Sequence, residues 1–104
     1  MKMVKHLTKD DFKDFIKEGV AVIDFYADWC GPCQMVKPIF EELSSEMKDV
    51  KFGSVDTQAQ EELASEYGIR SIPAFILFKD GEQVADRVGG ATKDGIKKWI
   101  EEST

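Results

Sequence analysis

Cysteine is scarce in this sequence, and its scarcity excludes one class of small protein. The 104 residues contain two cysteines, Cys30 and Cys33, with only Gly31 and Pro32 between them. Disulfide-stapled secreted domains carry several cysteines spread along the chain, because each bridge closes a separate loop. A bridge across so short a loop removes little entropy from the unfolded chain. We therefore expect any disulfide here to serve chemistry and not stability.

Long apolar runs are missing as well. The longest, residues 20–27, is interrupted by Asp24 and falls far short of the ~20 apolar residues that a membrane-spanning helix needs. The N-terminal sequence MKMVKHLTKDDF lacks the apolar segment of a secretory signal. The sequence therefore predicts a cytoplasmic protein with no targeting signal and no membrane partner.

Basic residues are outnumbered by acidic ones. The chain has 14 Lys and Arg against 20 Asp and Glu, a net charge of -6, and such a surface repels the phosphates of nucleic acids. The chain length and the 42% apolar content are typical of one compact core. We expect a single domain over residues 1–104 without a nucleic-acid partner.

Histidine occurs once, as His6, which we expect to be a solvent-exposed strand residue. Two thiols and one distant imidazole fall short of the four ligands of a tetrahedral zinc site. The sequence therefore predicts no metal and no bound cofactor. An iron–sulfur cluster shared by two chains, each giving two thiolates, remains as an alternative.

Two hydrophobic periods alternate along the chain. Residues 20–26 are apolar at nearly every position, which is typical of a strand covered on both faces. An Asp-Gly pair at residues 80–81 indicates a hairpin turn. The predicted strands cover residues 2–6, 20–26, 50–55, 74–79 and 83–88, and helical patterns begin at Thr8, at the cysteine motif, at Gln58 and at Thr92. This order predicts a three-layer α/β fold with parallel crossovers and an antiparallel edge.

The two cysteines follow a buried strand and open a helix, at the sheet edge where α/β proteins place reactive groups. Only a thiolate attacks a disulfide, and a thiol of ordinary pKa, ~8.5, needs about 2 kcal/mol of stabilisation to be half ionised at pH 7. A helix N-terminus typically supplies ~0.3–1 kcal/mol. We expect a hydrogen bond from the Cys33 thiol to the Cys30 sulfur to supply the remainder.

Position gives the two cysteines different roles. Cys30 precedes the first helical turn, so we expect it to be exposed and to attack. Cys33 lies one turn inside and would resolve the mixed disulfide by attacking Cys30. Gly31 and Pro32 form the turn and tune the redox couple, with Pro32 at a position where a backbone N–H is expendable.

Two further side chains near the motif are unusual. Asp24 is flanked by apolar residues, so desolvation should raise its pKa and let it exchange a proton with Cys33. The alternative is a carboxylate at the rim of the sheet, paired with a lysine. Trp29 is an aromatic residue beside Cys30, either part of a contact surface or a lid over the loop.

Four segments of the sequence resemble the thioredoxin family: FYADWCGPC at residues 25–33, Pro38, YGIRSIPAFILFKDG at residues 67–81, and Val-Gly-Gly at residues 88–90. The resemblance extends over essentially the whole chain. It implies a thioredoxin fold, with a central five-stranded mixed sheet flanked by four helices. It also implies that Cys30 is the nucleophile, Cys33 the resolving thiol and Asp24 the buried acid.

The resemblance further implies a surface for substrates. It places a cis peptide between Ile72 and Pro73 beside the cysteines, where the Ile72 backbone pairs with an extended substrate segment. A flat apolar patch is then outlined by Trp29, Ile72, Ala74, Gly89 and Gly90. The sequence departs from the family at two positions: Tyr26, where many members have tryptophan, and Phe52, where some members carry a lysine near the buried acid.

The function that follows is protein-disulfide reduction through a reversible dithiol–disulfide cycle at Cys30 and Cys33. We expect a monomeric general electron donor whose partners are disulfide-containing proteins and a thioredoxin reductase. A disulfide isomerase or oxidant of the same fold is the enzymatic alternative. The other alternative is a binding subunit that uses the patch around Trp29 to assemble a complex.

Overall fold

The computed structural model describes residues 3–104, which form one mixed sheet with helices on both faces. The strands are β1 (Val4–His6), β2 (Val20–Tyr26), β3 (Val50–Asp56), β4 (Ala74–Lys79) and β5 (Glu82–Val88). The helices are α1 (Phe12–Ile16), α2 (Gly31–Glu46), α3 (Glu61–Glu66) and α4 (Lys93–Ser103). The predicted α/β class, the five-stranded sheet and the four helices are confirmed. The part of the first predicted strand at Lys2 lies outside the described residues.

The order of strands in the sheet is β1-β3-β2-β4-β5. β3 pairs in parallel with β1 and with β2, whereas β4 pairs antiparallel with β2 and with β5. β2 is therefore the central strand, as its sequence, apolar at nearly every position, predicts. Its carboxyl end leads directly into the cysteine loop, so the middle of the sheet fixes where that loop starts.

Alternate residues of β2 enter two separate cores. Ile23 and Phe25 pack with α1 and α3 on one face of the sheet. Val22 packs with α2 and α4 on the other face. Each fully buried side chain of this kind stabilises the fold by about 1.5–3 kcal/mol. Because successive residues point to opposite faces, Asp24 must share the α2 face with Val22.

Helix α2 begins at Gly31, immediately after Cys30, and Pro38 lies within it. Its buried stripe of Val36, Phe40 and Leu43 packs on the sheet. The stripe sets the rotation of the helix about its own axis. That rotation directs Cys33, three residues before Val36, into the protein as well.

Two helices are shorter than the sequence predicts, because side chains hold the flanking residues in turns. The carboxylate of Asp56 accepts hydrogen bonds from the N–H groups of Gln58 and Ala59, so α3 starts only at Glu61. Helix α1 starts only at Phe12, because the Asp11 carboxylate accepts a hydrogen bond from the Thr8 N–H at 2.7 Å and residues 9–11 form a turn. The predicted hairpin turn is confirmed at residues 80–81, where both φ angles are positive.

Candidate active site

The two cysteines lie at the carboxyl end of β2 and the amino end of α2, and they form a disulfide with a Cα–Cα distance of 5.2 Å. Both pack in a small cluster with Ala27, Tyr26 and Ile72. The cluster joins the cysteine loop to the loop before β4. The sulfur chemistry is therefore held between two loops that start or end on neighbouring strands.

Cys30 is the N-cap residue of α2. Its Sγ accepts a hydrogen bond from the Cys33 backbone N–H at 3.2 Å. The first N–H groups of a helix have no partner within the helix and carry partial positive charge. A donor N–H kept at this position in the dithiol state would favour the Cys30 thiolate over the thiol.

The expectation that Cys30 is exposed is wrong for the disulfide form. Cys30 is 5% exposed and Cys33 is 2% exposed. The Cys30 sulfur is bonded to Cys33, is turned toward the first N–H groups of α2, and lies 3.9 Å from the Ile72 carbonyl oxygen. Sequence position identifies the leading cysteine but carries no information about the loop that covers it. Gly31 and Pro32, in contrast, are exposed at the start of the helix.

The Ile72–Pro73 peptide is cis, as the resemblance implied. Pro73 is buried, and its carbonyl oxygen accepts a hydrogen bond from the Gly89 N–H at 2.8 Å. Gly89 has a φ of 100°, a conformation that side chains rarely adopt. This bond ties the segment after β5 to the loop that contacts the cysteines.

An exposed apolar surface surrounds the disulfide. The Trp29 side chain is 69% exposed and therefore does not form a lid. Ile72 is half-buried, and Gly90 is exposed. Ala74 does not belong to this surface, because it is 4% exposed and packs in the core under α1 and α3.

Two exposed apolar residues near this end of the sheet were missed. Met35, in the second turn of α2, is 76% exposed, and Val88, at the end of β5, is 60% exposed. Met35 lies off the apolar stripe of its helix, so its exposure could have been inferred from the helical period. Val88 pairs in register with Ala74, an alignment that the sequence does not reveal.

Asp24 is buried and faces Cys33. It is 5% exposed, which excludes the alternative of a carboxylate at the rim of the sheet. Within residues 3–104 its Oδ1 atom has no hydrogen-bond partner. Burial raises the pKa of Asp24 from 3.8 to about 7, as the sequence predicts in direction. Asp24 and Cys33 line one cavity of about 20 Å³.

Phe52 shapes the surroundings of this acid. Its ring is 2% exposed and packs against Phe40 with the centroids 5.0 Å apart. Phe52 pairs in register with Val22, one step along the face from Asp24. An apolar ring thus occupies the position where some family members carry a lysine. Phe52 therefore supplies no positive charge to offset the desolvation of the Asp24 carboxylate.

The described part of the chain contains no group of three or more His, Cys, Asp or Glu side chains that could hold a metal ion. Among the helices of residues 3–104, none has the length and apolar character to cross a membrane.

Comparison with known proteins gives one consistent result. The thioredoxin family profile matches residues 3–102. The chain is 43% identical over 98 residues to a thioredoxin of Chlamydia caviae, covering 94% of this chain and 96% of that protein. It is 41% identical over 104 residues to a thioredoxin of Rickettsia prowazekii, covering 97% and 99%. A solved structure of a mutant thioredoxin from Halobacterium salinarum is 40% identical, with a TM-score of 0.90 over 97% of this chain and 90% of that one.

Proposed function

The chain belongs to the thioredoxin family, and from this membership we propose how its residues reduce protein disulfides. It is a thiol–disulfide oxidoreductase, a protein-disulfide reductase of the thioredoxin type, with its CxxC pair at Cys30 and Cys33. The observation that carries the residue assignment is the N-cap position of the Cys30 sulfur. Only that sulfur accepts a hydrogen bond from the first turn of α2 among the described residues.

In the proposed reaction the Cys30 thiolate attacks one sulfur of a substrate disulfide. The Cys30–substrate bond forms, the substrate disulfide breaks, and the leaving thiolate takes a proton from solvent. Cys33 then loses its proton and attacks the Cys30 sulfur, which releases the second substrate thiolate. Two electrons pass from the dithiol to the substrate, and the protein ends with the Cys30–Cys33 disulfide.

Asp24 is the proposed acceptor of the Cys33 proton. A carboxyl group whose pKa lies at about 7 exists in both states near neutral pH, so it can take a proton and return it. Its position in the same cavity as Cys33 supports this role. In the reverse direction, when the disulfide is reduced, the protonated Asp24 gives its proton back to the Cys33 thiolate.

The proposed substrate surface consists of Trp29, Ile72 and the Gly89–Gly90 pair, extended by Met35 and Val88, and the buried Pro73 supports it from below through its cis peptide with Ile72. The exposure of Trp29, Met35 and Val88 supports a contact role, since large apolar side chains left in water at one end of a protein often mark a contact surface. Such a surface recognises the substrate mainly through backbone hydrogen bonds and much less through side-chain contacts. It therefore suits a general electron donor with many disulfide-containing substrates. Ala74 is omitted because it is buried.

The proposed setting is the cytoplasm, where a separate thioredoxin reductase returns the disulfide to the dithiol. The absence of any cysteine outside the motif supports a reducing compartment, because structural disulfides are rare there. We propose that the protein acts as a monomer. A disulfide isomerase or oxidant of the same fold is the competing function.

The reduction potential separates these functions. We expect the Cys30/Cys33 couple to equilibrate with glutathione at about -270 mV, the value typical of thioredoxins, and to reduce insulin when thioredoxin reductase and NADPH are supplied. A potential near about -180 mV would indicate an isomerase, and one near about -120 mV an oxidant. The Cys30→Ser variant is the control, because it must lose the insulin activity.

A further inference from the structure

Three polar residues lie side by side on three adjacent strands of the sheet, beside the cysteines. Asp24 on β2 pairs in register with Ser54 on β3, and Ser54 pairs in register with His6 on β1. Paired positions on adjacent strands direct their side chains to the same face of the sheet. All three residues line the cavity that also contains Cys33.

The neighbouring row of the same face shows how unusual this arrangement is. It consists of Val22, Phe52 and Val4, which are also register partners. All three belong to, or pack against, the apolar core under α2 and α4. Polar side chains in the next row are therefore not a general property of this face.

Burial decreases along the polar row from the cysteines toward solvent. Asp24 is 5% exposed, Ser54 is 6% exposed and His6 is exposed. The Ser54 Oγ atom and the His6 Nδ1 atom lie 2.9 Å apart, which is hydrogen-bond distance. The cavity of about 20 Å³, which Asp24 and Ser54 both line, has room for one water molecule. A hydrogen-bonded path from the buried carboxyl group to the surface can therefore form.

Each member of this path can both give and take a proton. A serine hydroxyl is a donor and an acceptor, and a neutral imidazole carries one donor and one acceptor nitrogen. The histidine side chain is also the type that ordinarily changes charge between pH 5 and 8. We propose that Ser54 and His6 carry the proton of the Cys33–Asp24 exchange between the cavity and bulk water. The proposal rests on the roles assigned above to Cys33 and Asp24.

Proton transfer along this path starts at Asp24. Asp24, having taken the Cys33 proton, passes a proton through the cavity water to the Ser54 hydroxyl. Ser54 gives its own hydroxyl proton to His6 Nδ1, and His6 releases its Nε2 proton to bulk water. One proton has then moved from Cys33 to solvent, no electrons have moved, and His6 is left as the other neutral tautomer. Reduction of the disulfide uses the same path in reverse.

Other ionisable groups besides His6 also line the cavity. Tyr26 reaches it from β2, and its pKa is raised by burial and by the nearby carboxylates of Asp56, Asp28 and Asp24, so it keeps its proton near neutral pH. Lys37 and Glu41 reach it from α2 and bring one charge of each sign. Of the cavity-lining groups, His6 is the one joined to Ser54 by a side-chain hydrogen bond.

The test replaces each member of the path and measures disulfide turnover across pH 5.5–8.5 at low buffer concentration. His6→Gln keeps a polar side chain that does not titrate. We expect its turnover to fall about tenfold near pH 7. This loss is smaller than the ~10²–10⁴-fold rate enhancement that a positioned acid or base supplies. Added imidazole, which can take the proton directly, should restore the rate. Ser54→Ala should be slowed similarly, and Ser54→Thr, which keeps the hydroxyl, should recover most of that loss.

The controls separate this proposal from the function on which it rests. Lys5→Gln alters the adjacent exposed position of β1, whose side chain points to the other face, and should behave as the unmodified protein with or without imidazole. If His6→Gln is not slowed at low buffer, or is slowed without rescue by imidazole, the relay is wrong and the Cys30/Cys33 chemistry stands. If Asp24→Asn also reaches the rate of the unmodified protein, the role of Asp24 itself fails and the relay fails with it.

Discussion

Replacing Cys33 with serine is expected to convert the protein into a trap for its substrates. Cys30 keeps its place at the N-terminus of α2 and still attacks the substrate disulfide. The serine hydroxyl cannot displace the substrate sulfur, because it is not ionised at neutral pH. Turnover should fall by about 10³-fold or more, as it does when a nucleophile is removed from a catalytic unit. A one-to-one mixed disulfide should accumulate on non-reducing gels and in intact-mass spectra.

Cys30→Ser is the matched control for this trap. It removes the attacking sulfur and leaves Cys33, which is 2% exposed, under the protein surface. We expect no adduct and no turnover. An adduct on Cys33 in this variant would reverse the roles of the two cysteines. Full activity in both variants would instead favour the binding-subunit alternative, which needs no sulfur chemistry.

Asp24→Asn is expected to stabilise the protein increasingly as the pH rises. In the unfolded chain Asp24 ionises near pH ~3.9, but in the folded protein its pKa is about 7. Below pH ~4 the carboxyl group is protonated in both states and does not destabilise the fold. Between those values the unfolded state loses its proton first, so stability falls until the folded pKa is passed. Asparagine carries no such dependence.

The size of this effect follows from the same two values. Roughly three pH units at ~1.36 kcal/mol each amount to about 4 kcal/mol, so the variant should gain about that much over the unmodified protein between pH 4 and 8. Urea unfolding of both disulfide-bonded proteins at several pH values measures it. Asp49→Asn, at an exposed position, is the control and should show no comparable gain. A pH-independent difference would mean that Asp24 is not the titrating group.

The same substitution should slow resolution of the mixed disulfide. Without the carboxyl group, Cys33 must lose its proton directly to water, and a positioned base typically contributes ~10²–10⁴ in rate. We expect a loss of about 10²-fold between pH 6 and 9, measured as the release of substrate from a preformed mixed disulfide. An unchanged rate across that range would remove Asp24 from the reaction.

Much of the architecture could be predicted because local patterns agree with the final packing. The sequence of β2 is apolar at nearly every position and so required cover on both faces, which α2 and α4 provide on one side and α1 and α3 on the other. The same pattern made Asp24 conspicuous, since a carboxylate among such neighbours must be desolvated. The Asp-Gly turn fixed the hairpin, because only a few residue pairs adopt positive φ twice in succession.

Features that depend on contacts between distant segments could not be predicted from residue patterns. Cys30 is covered by the loop that carries Ile72, which lies 42 positions later in the chain. The Ser54–His6 hydrogen bond joins residues 48 positions apart and exists because β1 and β3 pair in one particular register. A shift of that register by one residue would place His6 on the other face.

The central claim is that the amino end of α2 holds Cys30 as a reactive thiolate, and alkylation of the reduced protein tests it most directly. The rate of iodoacetamide modification, followed by mass spectrometry at each pH, reports the ionised fraction of each cysteine. We expect Cys30 to react first and to reach half its maximal rate well below the pH ~8.5 of a free thiol, with Cys33 protected. A Cys30 that titrates as a free thiol, or a Cys33 that reacts first, would contradict the account.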